Sequence, residues 1–349
     1  MTHQKDLDEA LSLVEQLCTA DQVRGLLRTR KGDDNIRISA EDKEELVRKN
    51  LRNAVESKAI EIDKVYGLIQ DSEENGNQHI FYYRASQKLA EALTFDHVAK
   101  QIWGASWNKV VAEFPSIRLK PDDYKISDFR LFSARKPKDW ILKIYGQKTI
   151  MHPSGETNSD PDGSVWKKFV PESLRIVLSA RWNSPDLLEV RVQRNESRKR
   201  IEEWYKQVWS MLSPALAKEQ FKAWELKSAL RNVALEAEQN ADIYDFRDVG
   251  MVDEANEILG SFEAFSDEGN LFKSQLTREA VKRFLEHGGD LNSLAVRWFS
   301  RPTSEPREEL RTLLGTKKNL HEMVIAGHCN AGDLDYVTSQ LRAFSKAKS

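Results

Sequence analysis

Residues 20–52 read ADQVRGLLRTRKGDDNIRISAEDKEELVRKNLR, and this stretch determines how the N-terminal part of the chain folds. Apolar residues recur there at helical spacing in two runs, which are Val23, Leu26 and Leu27, then Leu46, Val47 and Leu51. Basic residues occupy the opposite side of each run. The pattern therefore predicts two short amphipathic helices with basic polar faces and a polar junction between them.

The same two runs resemble a known DNA-binding motif. The matching residues are Val23-Arg24-x-Leu26-Leu27-Arg28-x-Arg30, followed by Ser39-x-x-x-Lys43-x-x-Leu46-Val47-x-x-x-Leu51. This arrangement is similar to the helix-extended-helix of SAP-type motifs, over residues 20–52 only. Members of that family contact the phosphate backbone through the second helix and the turn before it. The resemblance implies phosphate contact by the corresponding residues, which are Arg30, Lys31, Ser39, Lys43 and Arg48.

The polar face of the first helix adds Arg24 and Arg28 to these candidates. From Val23 to Arg52 the sequence has nine basic and six acidic residues, so the segment alone has a small positive surplus for nucleic-acid binding. Charge runs usually mark solvated faces, and a plain helical hairpin is therefore the alternative interpretation. Both interpretations stay open at this point.

Composition narrows the possible functions. The chain has 349 residues, enough for two or three domains, and its formal net charge of -2 excludes nucleic-acid coating by bulk charge. Cys18 and Cys329 belong to no cysteine or histidine cluster, so we expect neither a disulfide framework nor a thiolate zinc site. No apolar run approaches the length of a membrane span. These features predict a cytoplasmic protein with no membrane partner and no cofactor.

The order of periodic segments predicts an α+β fold. We expect an N-terminal helical SAP-like module over residues 1–60 and an α+β domain with a mixed sheet and hairpins over 61–195. Residues 196–349 are expected to form a helix-rich domain that ends in a strand and a helix. No internal repeat is evident in the sequence.

Two hairpins are predicted in the middle of the chain. Residues 64–70 and 79–84 are rich in β-branched and aromatic residues on either side of Asn75-Gly76, and residues 174–182 and 187–192 flank a proline-containing turn. The polar segment 151–164 is expected to be a loop because it is rich in glycine, proline and Asx residues. Towards the end of the chain, we expect a strand over 320–326 and a last helix capped by Asp333.

A second basic region lies in the middle of the sequence. Arg135, Lys136 and Lys138 form one cluster, and residues 194–200 contain another. Seven of the nine tryptophans lie between Trp103 and Trp209, in the same region. Basic groups contact phosphate and exposed rings stack on bases, so this combination permits nucleic-acid contact, although most large aromatic residues are core residues.

The sequence carries no strong catalytic signature. Asp186 and Glu189-Val190-Arg191 resemble part of a PD-(D/E)xK nuclease, but the two acids are too close to come from neighbouring strands, and an arginine replaces the lysine. Asp160 and Asp162 are better explained by turn chemistry than by metal binding. We expect His321 and His328 to be hydrogen-bonded strand termini, and P-loop and HExxH motifs are missing.

These observations favour binding over catalysis. We interpret the chain as a non-catalytic, DNA-associated adaptor that contacts phosphate through the N-terminal module and a protein partner through the larger domain. One alternative is a protein-protein interaction component without nucleic-acid binding. Another is a divergent metal-dependent nuclease whose acidic residues are dispersed along the chain.

Overall fold

The structure is a computed structural model, and it describes residues 2–30, 36–116, 123–133, 136–159, 164–194, 197–253, 258–262, 274–299, 309–316, 319–327 and 329–346. The chain divides into two compact units. Unit 1 contains residues 1–83 and 223–349, and unit 2 contains residues 84–222. Helices and antiparallel strands occur in both, which confirms the α+β class.

The helices of the described residues are numbered in chain order. They are α1 (Thr2–Leu17), α2 (Ala20–Arg28), α3 (Lys43–Glu45), a π-helical segment (Leu46–Leu51), α4 (Arg52–Glu56), α5 (Ile62–Asn75), α6 (Gln87–Ala92), α7 (Phe95–Trp103), α8 (Trp107–Ala112), α9 (Arg198–Leu212), α10 (Lys227–Leu235), α11 (Gln275–Glu286) and α12 (Ala331–Phe344). Short 3-10 turns occupy Gly104–Ser106 and Lys218–Gln220.

The strands follow the same numbering. They are β1 (Gln78–Ala85), β2 (Lys125–Ser133), β3 (Lys136–Ser159), β4 (Val165–Asn183), β5 (Leu187–Gln193), β6 (Phe221–Ala223), β7 (Tyr244–Val252), β8 (Ile258–Phe262), β9 (Asp290–Phe299), β10 (Glu309–Thr316) and β11 (Asn319–Ile325).

The sheet of unit 1 has the strand order β1-β11-β10-β9-β7-β8, and these neighbours pair antiparallel. Helix α10 packs against β9 and α12. Two buried polar aromatic residues keep hydrogen bonds in this core: the Tyr244 hydroxyl donates to the Val233 carbonyl oxygen at 2.8 Å, and Trp298 Nε1 donates to Thr312 Oγ1 at 2.8 Å. Such partners remove the cost of burying an unpaired donor.

The N-terminal helices pack through their apolar stripes. Leu11 and Val14 of α1 are buried, and α1 packs against α5, whose Val65 and Ile69 are also buried. The prediction that residues 64–70 form a strand is therefore wrong. Val65 and Ile69 are four residues apart, which places both on one helical face, and burial against α1 outweighs the β preference of the residue types.

Unit 2 is built on the antiparallel sheet β2-β3-β4-β5. One face is apolar: Trp140 is opposite Trp182, and Leu142 is opposite Ala180. Helix α7 packs against β2 and β3, and α9 packs against β4 and β5. The predicted hairpin of 174–182 and 187–192 is confirmed by the β4-β5 pairing.

The other face of this sheet carries charged residues that are nevertheless buried. They are Asp128, Asp139, Lys143, Arg181, Glu189 and Arg191. Buried charges are tolerated where they are paired and hydrogen-bonded. Strand alternation therefore separates an aromatic core from a buried ionic layer.

Several sequence expectations are corrected by these elements. Residues 151–159 belong to β3, and β4 begins at Val165, so the predicted loop 151–164 is largely a paired ribbon. Its Asp160 and Asp162 lie outside the described residues. The sheet pairings of defined register are antiparallel, not mixed, and residues 196–349 contribute the strands from β6 to β11 in addition to helices. Helix α12 is capped by Asn330, which accepts the Asp333 N–H at 2.9 Å.

The division into domains also differs from the predicted boundaries near residues 60 and 195. Residues 1–83 group with residues 223–349, because α1 packs on α5 and α5 packs on α12. A sequence read in order cannot show that both ends of the chain share one core. Within the described part of the chain, no helix combines the length and the apolar character needed to cross a membrane.

Candidate nucleic-acid interface

The first predicted basic helix is α2, and a capping box fixes its start. Thr19 Oγ1 accepts the Gln22 N–H at 3.2 Å, and the Thr19 N–H donates to Gln22 Oε1 at 2.8 Å. Val23 and Leu27 are buried, whereas Arg28 is exposed. The helical period that buries one side of α2 therefore leaves the basic side in solvent, as the sequence pattern predicts.

The second predicted helix comprises α3, the π-helical segment and α4. Asp42 caps it by accepting the Glu45 N–H at 2.7 Å, and its apolar residues Leu46, Val47 and Leu51 are buried. The segment before it is held by Asn50, whose Nδ2 donates to the Ser39 carbonyl oxygen at 2.9 Å. Ser39 itself is exposed.

The basic residues of this second helix contact α1. The Lys43 ammonium group donates to the Glu15 carbonyl oxygen, and Arg48 Nε donates to Glu15 Oε2 at 2.8 Å. Arg52 pairs with Asp8 at 2.5 Å, and this hydrogen bond raises the pKa of Arg52. Arg48 keeps 41% of its side chain exposed. Two predicted phosphate contacts, Lys43 and Arg48, therefore already have partners on α1.

A sequence signal for this contact exists. Asp8 and Glu15 are seven residues apart, which is two helical turns, so they lie along one face of α1. The basic residues Arg48 and Arg52 are separated by four residues, which also places them on one face. An acidic face on one helix and a basic face on another predict that the two helices pair. The basic face alone predicts phosphate binding equally well.

The remaining basic candidates of the N-terminal segment are Arg24, Arg28, Arg30 and Lys31. Arg24 pairs with Asp21 at 3.0 Å on its own helix. Arg28 and Arg30 are exposed, and neither has an acidic partner among the residues that the structure describes. Lys31 lies outside those residues. Among these described candidates, the cationic groups without an acidic partner therefore lie at the C-terminal end of α2.

The second basic region, in unit 2, is only partly described. Arg135 lies outside the described residues, Lys136 is in β3, and Lys138 is an exposed residue of the same strand. On α9, Lys199 is exposed, and Arg198 lies 3.6 Å from Glu202. Each cluster therefore keeps at least one exposed lysine, so burial does not prevent either cluster from binding anions.

The tryptophans of the same region are mainly core residues. Trp140, Trp182, Trp204 and Trp209 are buried, whereas Trp166 exposes 64% of its surface. Trp103 and Trp107 are half-buried and contact other aromatic rings near α7. Base stacking by this region, as considered from the sequence, therefore has its most accessible ring in Trp166.

The nuclease alternative rests on Glu189, which the structure places in the buried ionic layer. Glu189 accepts hydrogen bonds from Asn183 at 2.9 Å and from Arg191 Nε at 3.0 Å, and it is opposite Arg181 in the sheet. Burial raises its pKa, but the two arginines and Asn183 outweigh burial and hold the pKa at about 2. The carboxylate is thus occupied by internal partners.

Asp186, the second acid of that alternative, is in the turn between β4 and β5 and lies 3.7 Å from Arg84. No group of three or more metal-ligating side chains is found among the described residues. His321 lies 3.2 Å from the Tyr83 hydroxyl, and His328 is outside the described residues, so the expected histidine pair is not placed. The described acids therefore give no support to a metal site.

Comparison of this chain with protein-family models, with curated proteins and with solved structures finds no match.

Proposed function

We propose that this protein is a non-catalytic, cytoplasmic DNA-associated adaptor, which contacts duplex phosphates through its N-terminal helices and a protein partner through its larger part. The SAP-type resemblance of residues 20–52 supports the nucleic-acid part of the proposal. The protein partner is supported by the extent of folded surface beyond that module.

The observation that supports the proposal most strongly is the exposure of Arg28 and Arg30. Both are exposed near the C-terminal end of α2, and neither pairs with an acid among the described residues. An arginine with no intramolecular partner can contact a phosphate without first losing an ion pair. The internal pairs of Lys43, Arg48 and Arg52 give those residues a structural role on α1, with Arg48 still partly accessible.

Protein interaction without nucleic-acid binding is the second candidate function. It is favoured by the same pairs, because Glu15 and Asp8 neutralise the basic face that the resemblance assigns to phosphate. The two candidates differ in what the arginines of α2 do. Only the first makes binding depend on salt through these two residues.

The Arg28→Ala/Arg30→Ala variant tests the first candidate. If each arginine contacts a phosphate, the slope of log affinity against log salt should fall by roughly 2 for a generic duplex, because each lost contact releases about one counterion fewer. Stability should change by less than about 0.5 kcal/mol, since both side chains are exposed. Fluorescence anisotropy of a labelled duplex, titrated at several salt concentrations, measures the slope.

The matched control removes the same charge from the same module. Arg24→Ala/Lys49→Ala also deletes two cations, but these pair within their own helices with Asp21 and Glu45. We expect a smaller change of slope for this control. Equal slopes for the wild type and the Arg28→Ala/Arg30→Ala variant, or no duplex binding at all, would replace the DNA proposal with the protein-interaction alternative.

A further inference from the structure

The acidic face of α1 lies against the basic face of the second helix, which comprises α3, the π-helical segment and α4. Glu15 Oε2 accepts from Arg48 Nε at 2.8 Å, and Arg48 Nη2 lies 2.5 Å from the same oxygen. Asp8 pairs with Arg52 at 2.5 Å. The Lys43 ammonium group donates to the Glu15 carbonyl oxygen, near the C-terminal end of α1. We call the Arg48–Glu15 and Arg52–Asp8 contacts the inter-helix pairs.

The π-helical segment brings the cations of the second helix onto one face. In an ideal α-helix, residues five apart are rotated by about 140° from each other, which would separate Lys43 from Arg48. A π-turn joins residues five apart, as the Arg52 N–H does when it donates to the Val47 carbonyl oxygen. The wider turn reduces the rotation, and both side chains reach Glu15. Such turns are rare and occur frequently at functional sites.

This basic face is the one that the SAP-type resemblance relates to DNA. Lys43 and Arg48 correspond to phosphate-contacting positions of the motif. Arg52 is not one of those positions, but it lies four residues beyond Arg48 and extends the same face by one turn. Carboxylate and phosphate both form bidentate pairs with arginine. A duplex that approaches this face therefore meets the two acids of α1 as competitors for the same guanidinium groups.

The inter-helix pairs are accessible to solvent. Their four side chains keep between 23% and 51% of their surface exposed. Ion pairs at exposed positions are weak, because water and salt screen them. Arg52 also lies 3.5 Å from Glu56 on its own helix, so its charge is shared between two acids. The guanidinium groups can therefore leave their carboxylates at a small cost.

The backbone of α1 does not have to move for such an exchange. Leu11 and Val14 are buried, and α1 packs against α5. Leu46 and Leu51 of the second helix are buried as well. Both helices are thus fixed by the core of unit 1, and the exchange involves only the exposed side chains between them.

We propose that α1 acts as an intramolecular competitor for DNA phosphate. In the free protein, the two acids of α1 occupy Arg48 and Arg52, whereas Arg28 and Arg30 are available to a duplex. When a duplex binds, Arg48 and Arg52 exchange carboxylate for phosphate. The competition rests on the proposed function, since it operates within the same N-terminal module, and it adds Arg52 to the phosphate contacts.

The strength of exposed ion pairs sets the size of the effect. One such pair changes an equilibrium by a factor of about 1.4 to 5, so two pairs should lower duplex affinity by about 2- to 30-fold. Acids near the duplex also repel it at longer range, over a Debye length of about 10 Å at 0.1 M salt. A test therefore has to separate competition from this general repulsion.

The Asp8→Asn/Glu15→Gln variant of the full chain, which we call the acid-neutralised variant, tests the competition. Its affinity for a generic labelled duplex should exceed that of the wild type by about 2- to 30-fold, measured by fluorescence anisotropy at one salt concentration. Both substitutions remove a charge and keep the size of the side chain. Circular dichroism should therefore show the wild-type fold.

The matched control removes the same charge elsewhere in the module. Glu41 and Glu44 are exposed, and neither forms an ion pair with a basic residue among those that the structure describes. Glu41→Gln/Glu44→Gln reduces the general repulsion but frees no arginine. We expect a smaller gain of affinity for this control than for the acid-neutralised variant.

A second set of substitutions shows whether the gain depends on the two arginines. Arg48→Gln/Arg52→Gln in the acid-neutralised background should abolish the gain and lower the slope of log affinity against log salt by roughly 2, because two phosphate contacts are lost. Arg24→Gln/Lys49→Gln in the same background removes the same charge from cations that pair within their own helices. This control should change the slope less.

Three results would overturn the proposal. The first is equal duplex affinity of the wild type and the acid-neutralised variant, or no binding by either protein. The second is an equal gain in Glu41→Gln/Glu44→Gln, which would assign the effect to general repulsion. The third is a gain that survives Arg48→Gln/Arg52→Gln.

Failure of the competition is distinguishable from failure of the proposed duplex contact. The contact of Arg28 and Arg30 is measured as a slope in the wild-type background, whereas the competition is measured as a gain of affinity in the acid-neutralised variant. A slope that depends on Arg28 and Arg30, together with no gain, would overturn the competition alone. A gain that depends on Arg48 and Arg52, with no effect of Arg28 and Arg30, would overturn only the contact by α2.

Discussion

Replacement of Glu189 by alanine should destabilise unit 2 by about 3 to 5 kcal/mol. Glu189 is 1% exposed and lies between Arg181 and Arg191, which are equally buried. Removing the carboxylate takes the Glu189 counter-charge from the buried Arg191 guanidinium and leaves Arg181 with Asp139, at 3.8 Å, so part of the desolvation cost of these charges is no longer offset. Urea unfolding followed by circular dichroism measures the change in the free energy of unfolding.

Asp186→Ala is the matched control for that substitution. Asp186 is in the adjacent turn, 39% exposed, and its carboxylate lies 3.7 Å from Arg84. We expect a change within about 1 kcal/mol, because exposed ion pairs contribute little. Equal effects at the two positions would show that the buried ionic layer does not stabilise unit 2.

The same carboxylate predicts an acid-sensitive component of stability. Its folded-state pKa of about 2 is below the ordinary value of 4.5, so the unfolded chain takes up the proton first. The stabilisation is complete above the unfolded-state pKa and is lost as the pH falls from about 4.5 to about 2. The difference in unfolding free energy between the wild type and Glu189→Gln should shrink through this window. A difference that stays constant from pH 6 to pH 2.5 would contradict the assignment.

Local patterns in the sequence were sufficient where neighbouring segments pair. The β4-β5 hairpin could be predicted because its two apolar runs flank Pro185 and need no distant partner. Helix α2 could be predicted for the same reason, since its cap and its apolar stripe lie within ten residues.

The errors arose where distant packing decides the structure. Residues 64–70 have strand-forming residue types, and only burial of Val65 and Ile69 in the core with α1 makes them helical. Residues 151–159 are a different case, because their partner β4 is the next strand along the chain, and backbone pairing makes them a strand despite a composition rich in glycine, proline and Asx residues. Only the contact with α1 lies outside a local window of the sequence.

The candidate interface shows the same limit. The sequence identifies which residues of α2 and of the second helix are basic, and it places them correctly on polar faces. It does not show that Glu15 and Asp8 of α1 already pair with Arg48 and Arg52. This tertiary contact separates the structural cations from the exposed Arg28 and Arg30, and it changes which substitutions test DNA binding.

The second large effect on stability is expected at a tryptophan of unit 2. This unit contains a buried tryptophan, Trp140, and an exposed one, Trp166, so the same residue type can be tested in two environments. Trp140 is fully buried, its Nε1 donates to the Leu93 carbonyl oxygen at 3.0 Å, and its ring centroid lies 5.6 Å from that of Phe129. Trp140→Ala should cost about 3 to 5 kcal/mol through the cavity and the lost apolar burial. Unfolding in urea, followed by circular dichroism, measures this loss.

Trp166→Ala is the matched control and should change stability by less than about 0.5 kcal/mol, because its ring is 64% exposed. Trp140→Phe separates the two contributions at the buried site: it keeps an aromatic ring but removes the donor to Leu93, which should cost about 1 to 3 kcal/mol. If Trp140→Ala were as mild as Trp166→Ala, the aromatic face of the β2-β5 sheet would not be the core of unit 2.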